Sequence, residues 1–262
     1  MNTREEKLQA FGRLLDVMDE LREKCPWDKK QTMDSLRHLT IEETYELCDA
    51  ILENNMEEVK NELGDILLHL VFYAKLGSEK KAFDIADVLT SICEKLIYRH
   101  PHIYGDTEVQ NEEDVKRNWE QLKLKEKGEK SSVLQGVPSS LPALVKAIRI
   151  QDKVRGIGFD FPNKDAAWVK VKEELAEFES ELAVNDKEKM QAEFGDLLFS
   201  LVNYARHIDI NPEDCLERTN KKFKARFQEM EKHIHADNKT LSDMNLEQMD
   251  VYWEKVKKQI QG

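Results

Sequence analysis

Glu173-Glu-Leu-Ala-Glu177, followed after a spacer by Glu193-Phe-Gly-Asp196, decides the fold, because the pattern already stands earlier as Glu42-Glu-Thr-Tyr-Glu46 and Glu62-Leu-Gly-Asp65. The displacement is constant, 173 − 42 = 131 and 196 − 65 = 131, with no gap between the first and last position. Self-similarity at a fixed period marks a repeated structural module. With small gaps the match extends outward, pairing Trp27-Asp28 with Phe159-Asp160, Lys95 and Arg99 with Lys222 and Arg226, and Trp119 and Lys123 with Trp253 and Lys257. The two halves are a duplication.

Local pattern makes the module helical. Glycine and proline are scarce, at 10 and 6 residues, and apolar positions 59, 63, 66, 67, 70, 71 and 74 follow helical spacing as one stripe. Strand-like alternation is not sustained anywhere. Within the spacer between the carboxylate motifs, Val184-Asn185-Asp186 reads as a turn, letting two helices run antiparallel. The fold class is therefore all-α, with two repeated helical-bundle modules. We place the first at residues 1–124 and the second at 137–262. The seam is a linker over 125–136, because Lys123 to Ser132 is polar and repetitive in Lys and Glu. Pro138 and Pro142 resist a continuous helix across the opening of the second module.

Composition narrows the functional classes. A formal charge of -12 across 262 residues argues against nucleic acid as a partner, since phosphate contacts need a basic footprint. No run reaches the 18 or so apolar residues of a membrane span, and Met1 to Phe11 is charged, so no membrane association and a cytoplasmic location are expected. Cys25, Cys48, Cys93 and Cys215 are too scattered for a zinc site or a disulfide framework, and are read as reduced, mostly buried thiols.

The carboxylates carry the chemistry. Residues three or four apart share a helix face, so Glu174 and Glu177 project together, as do Glu193 and Asp196. Glu43, Glu46, Glu62 and Asp65 repeat the set in the first half. Four clustered carboxylates repel one another and resist desolvation unless a cation offsets them. Oxygen ligands without Cys or His select a hard ion such as Mg2+, which also takes substrate phosphates into its octahedral shell. A solvated acidic face would explain a single E-x-x-D in a chain that is 35% charged, but not its recurrence with Asp kept as Asp and Glu kept as Glu. A di-iron carboxylate bundle would require Glu-x-x-His, and none of the seven histidines has Glu three positions before it.

Downstream residues supply positive charge. Lys222 and Arg226 lie four apart on one helix face, suited to clasp phosphate oxygens, and Trp253 could stack on a base. The ordinary readings are a solvated basic face and a core or interface tryptophan; the repetition of the Lys and Arg pair weighs against the first, and the second stays open beside stacking.

These motifs, with Cys25-Pro-Trp-Asp28, Arg99-His-Pro-His102, Gly136-Val-Pro-Ser-Ser-Leu-Pro-Ala-Leu144, Gly158-Phe-Asp160 and Asn220-x-Lys-Phe-x-x-Arg-Phe227, resemble the MazG family of nucleoside triphosphate pyrophosphohydrolases with tandem MazG domains. The likeness covers nearly the whole chain. It implies hydrolysis of nucleoside triphosphates between the α and β phosphates, broad base tolerance and assembly as a homodimer. By the family's motif, Glu174, Glu177, Glu193 and Asp196 would hold Mg2+. Nucleotide would be bound by the stretch from Lys170 through Lys172 to Glu174, the stretch from Lys189 to Ala192, Lys222, Arg226 and Trp253. Glu173 is the candidate water-activating base, or else a supporting carboxylate. Two alternatives remain, a narrower pyrimidine dNTP pyrophosphatase and a non-catalytic helical interaction module. The second half is expected to do most of the catalysis, because Asn203 and Asn220 are matched in the first by Phe72 and Cys93, which cannot bond a sugar or base as well.

Overall fold

A computed structural model describes residues 1–126 and 132–260. Among the described residues the chain forms eleven α-helices and two short 3-10 turns, without a strand. It divides into two compact units, Met1–Val115 and Lys116–Gly262. Part of the expected linker, 127–131, lies outside the described residues.

The first unit contains α1 (Arg4–Lys24), α2 (Met33–Leu52), α3 (Met56–Glu79), α4 (Ile85–Arg99) and the short α5 (Pro101–Tyr104), and α6 (Glu112–Glu126) starts at its end. Sequence fixes the helix starts. Thr3 accepts from the Glu6 amide at 3.2 Å while the Glu6 carboxylate accepts from the Thr3 amide at 2.6 Å, a reciprocal cap repeated by Thr32 and Ser35 at α2. Between α2 and α3, Asn54 takes a left-handed conformation at φ 55°, and Asn55 caps α3 by accepting from the Glu58 amide at 3.3 Å. So tight a turn lays α3 back along α2, and α1 packs on α3. Met18, Leu36, Val71, Phe72 and Leu76 form the core they enclose. Each such side chain contributes roughly 1.5–3 kcal/mol by leaving water.

The second unit contains α7 (Ala143–Arg155), α8 (Lys164–Val184), α9 (Lys187–His207), α10 (Pro212–Ala236) and α11 (Leu246–Gln259). Asn185, with φ 60° and ψ 34°, ends α8, and Asp186 caps α9 by accepting from the amides of Glu188 and Lys189. The α8–α9 hairpin is thus closed by the turn read from the sequence. Helices α7 and α10 pack on α9, and Met230, Ile234, Tyr252 and Val256 form a core between α10 and α11.

Two expectations are corrected here. The single stripe on α3 is two faces: Val71 and Ala74 are buried with Phe72, whereas Leu63, Leu67 and Leu70 stand 52%, 39% and 51% exposed. One face packs on α1 and α2 while the other looks outward, as do Phe194, Leu198 and Leu201 on α9. The thiols are not mostly buried either. Cys48, Cys93 and Cys215 are exposed and Cys25 is half-buried, because they fall off the packed faces; α4, which carries Cys93, buries none of its residues. No helix among the described residues is long and apolar enough to cross a membrane.

Candidate functional site

Hairpin geometry brings the carboxylates together. Glu43 precedes Asn54 by eleven positions (54 − 43 = 11) and Asp65 follows it by eleven (65 − 54 = 11), while Glu46 and Glu62 stand eight to either side. Positions equidistant from a tight turn face each other across antiparallel helices. The same counting about Asn185 sets Glu174 against Asp196 and Glu177 against Glu193.

In the first unit Glu43, Glu62 and Asp65 present oxygens within 4.8 Å of one another, and in the second Glu174, Glu177 and Glu193 do so. Three of each expected four thus converge. Glu46 and Asp196 lie outside these groups as exposed carboxylates, each on the same helix face as its neighbour one turn away. Burial, then the charges of Asp65, Glu46 and Glu42, push the Glu43 carboxyl above the usual carboxylate range, against a hydrogen bond with Glu62. Glu62 is pushed up by burial and by Glu46, Glu43, Asp65 and Glu58. Glu177 rises through burial, Glu174 and Glu193, with Lys170 opposing.

Such a donor set fits a hard divalent cation. Every converging atom is a carboxylate oxygen, and Glu62 Oε2 is buried without a hydrogen-bond partner, a cost a bound cation would remove. His69, four residues after Asp65, is buried with Nδ1 unpartnered. Burial lowers its pKa while Asp65 pulls it the other way. In the second unit that position is Ser200, whose hydroxyl donates to the Leu197 carbonyl at 2.9 Å.

Lys170 is held at the rim of the second cluster, 2.8 Å from Glu173 Oε1 and 2.6 Å from Glu174 Oε1. The hydrogen bond to Glu173, then that to Glu174, raises its pKa, so it stays a cation. Lys172 is exposed on α8, and Lys189 lies 4.0 Å from Glu181 and 3.9 Å from Asp186. Farther along the chain, Lys222 is exposed, and Arg226 donates from Nη2 to the Ile260 carbonyl at 2.8 Å, fastening the end of α11 to α10. Trp253, half-buried on α11, meets Phe223 with ring centroids 5.2 Å apart.

One constellation was not visible in the residue pattern. Asp160 accepts from Arg206 Nη1 at 2.8 Å and from Nη2, and lies 3.1 Å from His207 Nε2. Burial pushes the Asp160 carboxyl up, but the Arg206 hydrogen bonds and charge outweigh it and hold the group below its ordinary value. Arg206 Nη2 also donates to Asn203 Oδ1 at 2.6 Å, so Asn203 braces the arginine, whereas Phe72, its match in the first unit, fills the core. The Gly158-Phe-Asp160 motif and the match of Trp27-Asp28 with Phe159-Asp160 hinted at Asp160, but a partner 46 positions away leaves no periodic trace.

Residues 31–104 and 165–230 each match the MazG nucleotide pyrophosphohydrolase domain. The chain is 41% identical over 259 residues to the nucleoside triphosphate pyrophosphohydrolase of Escherichia coli K12, covering 96% of this chain and 98% of that one. It is 42% identical over 250 residues to a Thermotoga maritima protein named nucleoside triphosphate pyrophosphohydrolase/pyrophosphatase MazG, covering 94% and 95%. A Bacillus subtilis protein, YabN, is 44% identical over 97% of this chain, which spans 53% of its length.

Proposed function

The chain belongs to the MazG nucleotide pyrophosphohydrolase family, and from that premise we infer that it hydrolyses nucleoside triphosphates with release of pyrophosphate. The observation that carries the reading is the twice-built group of three carboxylates, an oxygen-only cradle for a cation that phosphates accompany. Cleavage falls between the α and β phosphates and leaves a nucleoside monophosphate. The names of the Escherichia coli and Thermotoga relatives support that product class.

Glu174, Glu177, Glu193 and Asp196 would hold Mg2+, with Glu43, Glu46, Glu62 and Asp65 as the matching set. The ion supplies charge neutralisation on the phosphates and a lowered pKa for a bound water. The chain's own groups do the remainder. Lys170, steadied by Glu173 and Glu174, offers a fixed positive charge at the cluster's rim. Glu173 takes the proton of the attacking water. Lys172, Lys189, Lys222 and Arg226 contact phosphate oxygens, and Trp253 stacks on the base, a contact that accepts any base and so permits broad tolerance. The protein acts as a cytoplasmic homodimer, and the uncovered rows Leu63, Leu67, Leu70 and Phe194, Leu198, Leu201 support a dimer interface. We assign most of the turnover to the second module, 137–262, joined to the first, 1–124, through 125–136.

Identifying the products formed from ATP and Mg2+ tests the reading. AMP with pyrophosphate is expected, and ADP with phosphate would overturn it.

A further inference from the structure

The two carboxylate clusters are built alike but are not balanced alike. The converging oxygens come from Glu43, Glu62 and Asp65 in the first unit and from Glu174, Glu177 and Glu193 in the second, so Glu177 converges where the repeat would place Asp196. One turn before Glu174 on α8 stands Lys170, whose Nζ lies 2.6 Å from Glu174 Oε1 and 2.8 Å from Glu173 Oε1. The matching position, one turn before Glu43 on α2, is Leu39 (170 − 131 = 39), which packs against the core of Met18, Leu36, Val71, Phe72 and Leu76.

The first cluster therefore has no such counter-charge. The charged groups bearing on Glu43 and Glu62 are carboxylates throughout. Lys60, two positions before Glu62, pairs with Glu57 instead. His69, four residues beyond Asp65, is buried, and burial holds its imidazole pKa down, so it brings no positive charge at neutral pH. Clustered carboxylates without a counter-charge gain by accepting a cation. Where an ammonium already holds a carboxylate oxygen, an arriving cation must break that ion pair and meets a like charge at contact distance. Lys170 is able to leave, because its side chain keeps 36% of its surface in water, and a triphosphate offers it an anionic partner in place of Glu174.

We propose that the first unit holds a resident divalent cation at Glu43, Glu62 and Asp65, taken up without nucleotide, whereas Lys170 serves as the built-in counter-ion of the second cluster and yields Glu174 to a cation only when substrate phosphates draw Lys170 away. Cation and nucleotide then enter the second unit together, and the first unit stays loaded between turnovers. The order of filling rests on the cation reading of both clusters given above; its cause is the exchange of Lys170 for Leu39 between the two hairpins.

Titration of the full-length protein with Mn2+, an oxygen-seeking ion whose free form is counted by electron paramagnetic resonance, reads occupancy without turnover. A single tight site per chain is expected in the absence of nucleotide, lost in Glu62→Gln and kept in Glu193→Gln. A saturating non-hydrolysable triphosphate should add a second site, measured against Glu193→Gln at the same nucleotide concentration. Lys170→Met should open that second site to Mn2+ alone and tighten it about tenfold or more, a modest share of what a unit charge at contact distance can exert. Lys170→Arg, which keeps the charge, should restore the dependence on nucleotide. Two equal sites in nucleotide-free wild type, loss of the tight site in Glu193→Gln rather than Glu62→Gln, or a wild-type titration in Lys170→Met overturns the proposal. Uptake by neither cluster, with or without nucleotide, overturns it together with the cation reading, whereas ADP and phosphate in the product assay would overturn the pyrophosphohydrolase reading alone.

Discussion

Asn54 and Asn185, 131 positions apart, adopt the same left-handed backbone, with φ of 55° and 60°. Each sits at the tip of a helical hairpin whose arms carry the clustered carboxylates. Outside glycine, asparagine is among the few residues that enter this region readily.

Replacing Asn185 should therefore act through backbone strain. Asn185→Val is expected to cost about 1–2 kcal/mol, while Asn185→Gly should be close to neutral. Chemical denaturation of the two variants checks this, and equal loss in both would show that the asparagine side chain matters instead.

The assigned ligands make a sharper prediction. Glu193→Gln and Asp196→Asn each remove a carboxylate charge while keeping volume, and should lower pyrophosphate release below about a tenth of wild type, a barrier increase above roughly 1.4 kcal/mol. Circular dichroism should stay helical. Retained activity at saturating Mg2+ would remove the residue from the ligand set.

Raised carboxyl pKa values in the first cluster give a pH dependence with a definite sign. A group whose folded pKa lies above its unfolded value contributes stability below the unfolded pKa and loses it as pH rises through the folded one. Burial and then Glu46, Glu43 and Asp65 place Glu62 in that class. Metal-free Glu62→Gln should therefore melt higher than wild type near neutral pH. The gap should close as pH falls below the ordinary carboxylate range. A gap that widens toward acid would contradict the shift.

Asp160 behaves oppositely. Its folded pKa is depressed, so its contribution is present above the unfolded value and lost as pH falls through the folded one. Arg206→Met leaves that carboxylate with the Phe161 amide, His207 and, at 4.0 Å, Arg155, and should cost about 2 kcal/mol at neutral pH, since hydrogen bonds to charged groups contribute about 1.5–3 kcal/mol. Thermal melts at neutral and acid pH should show the loss shrinking with acidification.

The two modules can be separated by Asp65→Asn and Asp196→Asn. We expect the second to be the more damaging for every triphosphate, because Phe72 lies in the core where Asn203 stands beside Arg206. Equal damage would make both sites catalytic.

Much of this was legible in the residues. The turn at Val184-Asn185-Asp186 and the pairing of Glu174 and Glu177 with Glu193 follow from spacing alone, because helix periodicity and a tight turn leave little freedom. Spacing could not say that Glu46 and Asp196 would stand apart from their triads, since side-chain rotation rather than backbone position decides that. Nor could it divide the apolar residues of α3 between a packed face and an open one; Leu63 and Phe72 look alike until their neighbours are known. The Asp160–Arg206 pair joins a loop to a helix and has no period to read. The turn at Asn54, by contrast, was in plain view through the same displacement of 131 and needed only the comparison with Asn185.

The hairpin also bears on the order of folding. Residues 43 and 65, or 174 and 196, are close in sequence, so each pair of arms can meet through short loop closure before distant contacts such as Asp160 with Arg206 exist. Closure drives like charges together at that early moment, while part of the apolar reward around Phe72 waits until Met18 of α1 docks. Neutral, metal-free refolding should therefore meet its main kinetic barrier at the closing of the acidic hairpin, and lowering the pH or adding a divalent cation should speed folding itself rather than only slow unfolding.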